Sequence, residues 1–510
     1  MSLSDAVGAV VSVFRRRPSD LLPLYLLGAA APAVVRVVPM AALLIGVLYL
    51  AGTSRLDSLL NSLQEMNLGP PPSDPESAAF EAWASQFEPL VDLLVTPATI
   101  ALLIAAVFVS LVVVALLYAI TSAAQLGACY GRVRGERGLI AGIAGARRYW
   151  LRILGLFILE FILWVVVALV VGIGTAVATG AVAAATDATA LGIPVVLLGG
   201  LVMIALFALV RALFAFAPVA VVVDDAGVFG SLSKTAGFIR SEPIGALFYY
   251  ALAVGSLLAL SAVSAVLFRI DVVTFPSLVT MLVLLPAFDL LKTALYVGYR
   301  GRLTPPAPPD RSVPSQLRAG LGRGWHEMTA YVRHTPLLQL TVVALAVASF
   351  WVGWRAGAPL ADLGVETSIA ARLQGHFPPA AALEFFANNW LVAITTAFGG
   401  LALVLPTIAS LVFNGVYMGF YAQTEAELAD LVAFVLPHGI FEIPAIFIAS
   451  AVGISLGLTG WRAFRGRTGR VAFADELERA FWVLVGVGLL LAIAAVIEGF
   501  VSPYYYDVLL

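Results

Sequence analysis

The sequence predicts an all-α, polytopic integral membrane protein of about eleven transmembrane helices, with short interfacial amphipathic helices on its cytoplasmic side. Composition is the first observation. The chain is 61% hydrophobic and 12% charged, with a mean hydropathy of +0.99, against about 45–50% apolar and a quarter charged in soluble domains. Long apolar runs are the second, and the placement of the basic residues is the third.

Apolar runs long enough to span a bilayer, about 18 residues or more, lie near 21–52, 97–122, 153–180, 192–222, 244–267, 275–299, 337–354, 381–421, 439–459 and 477–500. The basic stretch Arg15 to Arg17 precedes an apolar run far longer than a signal-peptide core of about 7–15 residues, so the first run reads as a retained span. With the N-terminus inside, 22 basic residues fall in 1–20, 126–152, 224–243, 300–334 and 460–480. Arg55, Arg269, Arg355 and Arg372 fall outside, and Arg36, Arg211 and Lys292 lie within spans. Retention of arginine and lysine in the cytoplasm makes this the predicted orientation.

The same rule divides the long run. Residues 355–380 are outside, the acidic stretch of Glu425, Glu427 and Asp430 holds no basic residue, and Arg462 to Arg470 lie inside after one further span, so 381–421 must cross twice or dip in and return. Gly399-Gly400 and Pro406 supply break points, predicting helices at about 381–399 and 403–421. The C-terminus then lies outside the cell membrane.

On the cytoplasmic face an amphipathic stretch repeatedly meets a basic residue and a new span. The four cases are Phe14 to Pro18, Arg147 to Trp150, Ile239 to Pro243 and Tyr331 to Pro336. These predict interfacial anchors at headgroup level, or a docking surface for a partner. The external segment 53–96 holds seven acids against Arg55 and is expected to carry short amphipathic helices. Segment 304–314 is proline-rich and reads as a semi-rigid linker between a six-helix domain, 1–303, and a five-helix domain, 315–510.

Ionisable groups inside a bilayer are costly and mark partners or function. His438 and Glu442, four residues apart, share a helix face. With Asn388, Asn389 and Asn414 they are expected at one depth in the outer leaflet, as a polar cluster. Three uses follow: a proton relay, half of a metal site completed by another helix or by His376, or a lining for a substrate path. The plainer expectation is that these groups bond one another and hold short helices together. Glu160, Asp289, Lys292, Arg36 and Arg211 are a second set of intramembrane charges, expected to pair and fix helix packing, or else to line a pathway. Gly172, Gly174 and Gly180 are expected to allow close helix contact.

Four histidines and the single Cys129 argue against a dedicated metal enzyme, and no metal or cofactor is assigned. A net charge of −2 and the lack of a basic cluster with stacking aromatics exclude nucleic acid. No GxSxG, Walker, HExxH or nucleotide fingerprint stands in a suitable context. Only Lys234 and Lys292 among 29 basic residues are lysine, which points to a GC-rich, archaeal genome.

The stretches Phe385 to Asn389, Phe413 to Gly419, Pro437 to Gly439 with Glu442, and Ala449 to Gly453 resemble the stage II sporulation protein M family over about 335–500. That resemblance implies an integral membrane protein and establishes no catalytic activity; bacterial members act in engulfment during sporulation and help position peptidoglycan-degrading enzymes. Ala217 to Asp225, with Ser231 and Ser233, resembles polytopic membrane domains such as the one fused to some glycerophosphodiester phosphodiesterases. The function expected is organisation of an envelope or membrane complex, with the bilayer and membrane or envelope proteins as partners and oligomeric state open. The alternative is a transporter or channel component whose Asn/His/Glu cluster lines the route.

Overall fold

Proline decides where amphipathic and spanning helices part. The computed structural model describes residues 3–65, 77–186, 189–305, 307, 309, 311–362, 367–368 and 376–504. Its helices are α1 Leu3–Arg16, α2 Leu22–Ala29, α3 Ala31–Gly52, α4 Arg55–Glu65, α5 Ala78–Ser85, α6 Glu88–Leu94, α7 Pro97–Val133, α8 Gly138–Thr186, α9 Gly192–Asp224 and α10 Val228–Ser241. There follow α11 Pro243–Phe268, α12 Phe275–Val279, α13 Leu285–Tyr299, α14 Val313–His334, α15 Pro336–Asp362, α16 Pro378–Gly399, α17 Leu405–Thr424, α18 Leu428–Phe464 and α19 Arg470–Phe500. A π turn, Thr280–Leu284, joins α12 to α13. No strand occurs among the described residues, and one bridge pairs Thr367 with Glu425.

Ten helical segments of the described residues are long and apolar enough to span a membrane, and the chain is a multi-pass membrane protein. Pro18, Pro243 and Pro336 separate α1, α10 and α14 from the helices that follow, because proline lacks the N–H needed to continue a helix across it. The fourth expected boundary, at Arg147 to Trp150, is absent. No proline stands there, and α8 runs unbroken for 49 residues.

The long run does divide in two, as α16 and α17, across the turn at 400–404. Leu403 and Val404 take left-handed backbone conformations (φ 59° and 67°), unfavourable for side-chain-bearing residues and above all for β-branched valine. Tight packing on both sides holds that turn. Any Cβ on Gly400 would overlap the carbonyl of Gly453 on α18, and α15 meets α17 the same way at Gly353 and Gly419. Since lipid is as apolar as the helices, such close approach and interhelical hydrogen bonds are what hold spans together. Gly172, Gly174 and Gly180 have no such role, for a Cβ at each would meet nothing within 4 Å.

The expected helix start near residue 439 is also corrected. α18 begins eleven residues earlier, at Leu428, and carries Pro437 and Pro444 in its interior. Each proline costs one backbone hydrogen bond, and the apolar environment keeps the helix formed on both sides.

Contacts divide the chain into two units, one of residues 1–31 with 116–510 and the other 32–115. In the smaller, α4–α6 are the short helices expected of the acidic segment, and Arg55 donates to the Asp92 and Leu93 carbonyls, each at 3.2 Å. Thr96 and Thr99 cap the start of α7 reciprocally, backbone N to side-chain oxygen at 2.8 and 3.1 Å. In the larger unit, Leu126, Tyr296, Met328, Phe398 and Leu484 belong to one buried core, so helices before and after segment 304–314 share it.

Candidate functional site

Two polar centres stand out in the larger unit, one at each end of its long helices. The first gathers the basic segments. Asp20, fully buried, accepts the Gly138 and Leu139 backbone N–H groups at 2.7 and 3.1 Å and so caps α8, while Arg132 stands 3.4 Å away. Arg137 reaches Asp475 at 2.5 Å and Glu478 at 3.2 Å, and its hydrogen bond to Asp475 holds the guanidinium above its ordinary value. The Ser19 hydroxyl donates to Glu478 at 3.0 Å. Arg15 and Arg16 donate to the Arg311 and Ala307 carbonyls at 2.8 and 3.1 Å.

Where α9 ends, Asp225 caps it in a left-handed conformation and accepts from Arg148 and Arg152, each at 2.6 Å. Those bonds, Arg148 first, hold its carboxyl below the usual range. Asp224 accepts from the Tyr296 hydroxyl at 2.8 Å and from Arg300. Of these residues, the sequence pointed to Arg15, Arg16 and Arg148 as parts of interfacial anchors and to the Asp224-Asp225 pair by resemblance; Asp20, Arg137 and Glu478 it did not single out.

The second centre is built by α18 and α19, which run antiparallel from the turn at 465–469. From His438 to Phe464 is 26 residues, and from Arg470 to Glu498 is 28. At about 1.5 Å per residue both side chains stand about 40 Å from that turn, at the end away from the basic segments. Ligand atoms of His438, Glu442 and Glu498 lie within 4.8 Å of one another. His438 is 5% exposed, its Nδ1 is 3.0 Å from the Ser502 hydroxyl, and Phe434 meets its ring edge-on. One oxygen of Glu442 and one of Glu498 are buried without a hydrogen-bond partner.

The asparagines do not enter this group through any described hydrogen bond. Asn388 is exposed and donates to Asn389 at 3.2 Å, and Asn414 donates to the Ser410 carbonyl of its own helix at 2.8 Å. His376 meets the Gly499 carbonyl at 2.8 Å. Glu498 takes the place considered for it.

Among the other intramembrane charges, Arg211 donates to both oxygens of Glu160 at 2.8 and 3.0 Å. Lys292 pairs with Asp289 at 2.7 Å, which also accepts from the Tyr25 hydroxyl at 2.9 Å. Arg36 is exposed and belongs to no described ion pair.

The second centre lies wholly inside a stretch that can be compared with known proteins. Residues 340–503 match the Stage II sporulation protein M family. An uncharacterized protein of Methanocaldococcus jannaschii is 27% identical over 135 residues, which cover 26% of this chain and 73% of that relative. No solved structure matches the chain. The matched stretch holds α16–α19 and thus every donor of the His438 group, whereas Asp20 and Arg137 lie outside it.

Proposed function

We propose that the chain is a non-catalytic integral membrane protein that organises an envelope or membrane complex in the cell membrane, with its basic end and N-terminus cytoplasmic and its C-terminus outside. The observation that carries this reading is that four of the five charges expected in the N-terminal spans are locked in pairs, Arg211 with Glu160 and Lys292 with Asp289. Fixed ion pairs hold helices; they do not exchange a passing solute. A cavity of about 400 Å³ among the described residues is lined by Thr367, Ser368, Tyr417, Phe420 and Tyr421, none of them a charged group of the spans.

The surface offered to partners is the basic end. On α14, Gly324, Met328 and Tyr331 are buried, while Leu317, Leu321 and Trp325 are exposed four residues apart, forming one apolar stripe. The chain extracted in mild detergent is expected to run as a particle heavier than one chain with its detergent. Replacing Leu317, Leu321 and Trp325 together by serine should reduce it to that mass without altering thermal stability. A lone chain in both cases, together with ion flux in proteoliposomes that Glu442→Gln abolishes, would favour the transporter reading instead. That second reading draws its support from the His438 group.

A further inference from the structure

We propose that His438, Glu442 and Glu498 bind a first-row divalent cation of the Zn2+ type, which clips α18 to α19 at the end away from the basic segments. This goes beyond the organising role and stands without it.

Charge sets these residues apart from the ion-paired carboxylates of the fold. The buried or half-buried carboxylates Asp20, Glu160, Asp224, Asp289 and Glu478 each have a basic partner. Glu442 and Glu498 have no ion pair among the described residues, and each keeps a buried oxygen with no hydrogen-bond partner. Two carboxylates side by side in a low-dielectric setting repel, and their charge is expensive to hold unless it is matched. One divalent cation with two carboxylates and a neutral imidazole sums to zero. It would also give the two unpartnered oxygens a ligand.

The geometry fits such an ion. Zinc bonds imidazole nitrogen and carboxylate oxygen at about 2.0–2.2 Å, which puts tetrahedral ligands about 3.4 Å apart. The present donors, within 4.8 Å of one another, need only small side-chain swings to close on it. An imidazole among the ligands favours Zn2+ or its first-row neighbours over Mg2+ and Ca2+, which take oxygen. Outer contacts hold the frame. Ser502 engages His438 Nδ1, leaving Nε2 as the ring nitrogen for the metal, as partners of metal-bound histidines commonly do. His376, through the Gly499 carbonyl, steadies the chain beside Glu498. With three protein donors, a fourth position is left for water.

The test uses the purified full chain in detergent, stripped of metal and titrated with ZnCl2 alone by calorimetry, with elemental analysis of the washed protein. One Zn2+ per chain is expected. Binding should weaken at least tenfold in Glu498→Gln and in His438→Ala, and a hundredfold excess of Mg2+ or Ca2+ should not displace the ion. Asn388→Ala and Asn414→Ala should leave the stoichiometry at one. Should the site variants fold poorly, Co2+ added to the unaltered chain is decisive. It should give the intense visible bands of a four-coordinate site, erased by Zn2+. The weak spectrum of the aqueous ion, or equal Zn2+ binding by a folded Glu498→Gln chain, would overturn the proposal, leaving protons as the groups that neutralise the pair.

Discussion

Replacing Asp20 by alanine should be among the most damaging single changes outside the spans. The carboxylate is fully buried, accepts two backbone N–H groups at the start of α8 and faces Arg132, itself 5% exposed. Loss of a cap costs about 0.5–2 kcal/mol, and breaking a buried ion pair by removing one partner costs about 3–5 kcal/mol. The two losses share the same oxygens and do not add in full, so about 3–5 kcal/mol is expected for Asp20→Ala. Asp20→Asn keeps one acceptor and should cost about 1–3 kcal/mol, the range for leaving one buried donor unmet. At about 1.4 kcal/mol per decade, the alanine variant shifts the unfolding equilibrium by a hundredfold or more. The assay is denaturation of the purified chain by SDS in mixed micelles, followed by near-ultraviolet circular dichroism. An Asp20→Ala chain within about 0.5 kcal/mol of wild type, the range of ordinary surface changes, would refute the reasoning.

Three further outcomes follow from the packing and the charges. Gly453→Val forces a side chain against the Thr396 carbonyl and Thr407 and should lose at least about 1–3 kcal/mol. Gly180→Val, which meets nothing within 4 Å, should stay within about 0.5 kcal/mol, and equal effects would count against the observed helix contacts. Asp225 is held below the ordinary carboxylate value by Arg148 and Arg152, so the stability it adds is complete above about pH 3.9 and is lost as pH falls through its lower folded value. The thermal midpoint of the wild type should therefore fall more steeply below about pH 4 than that of Asp225→Asn, and coincident profiles would speak against the pairing. Glu160→Leu alone should destabilise the chain by leaving Arg211 unmatched, whereas Glu160→Leu with Arg211→Leu should recover most of the loss. Strict additivity in that double-mutant cycle would mean that the pair does not interact.

Much of the fold was legible because the bilayer allows few solutions. A run of 41 apolar residues is too long for one ordinary span, and Gly399-Gly400 with Pro406 showed where it turns. Helix ends were less legible. Pro437 looks like a start, yet in an apolar setting α18 keeps its helix through it, and at Arg147 to Trp150 nothing in the backbone obliges α8 to stop. At the candidate site, the spacing of His438 and Glu442 was readable on one helix, while Glu498 lies 56 residues further on and joins them only through the antiparallel register of α18 and α19. Its signal was present: an acid inside an apolar span, as far from the basic turn as His438. Asp20 had no such signal, since its burial depends on the start of α8, more than a hundred residues away.

The placement of α16–α19 across the membrane carries the account, and cysteine accessibility tests it most directly. In a Cys129→Ser background, Phe377→Cys, Leu403→Cys, Leu428→Cys and Arg467→Cys each put one thiol at an exposed position. A membrane-impermeant maleimide should label Phe377→Cys and Leu428→Cys in intact cells, and Leu403→Cys and Arg467→Cys only once the membrane is opened. Labelling of Leu403→Cys in intact cells alongside Phe377→Cys would mean that the chain dips and returns, and the doubled crossing would be wrong.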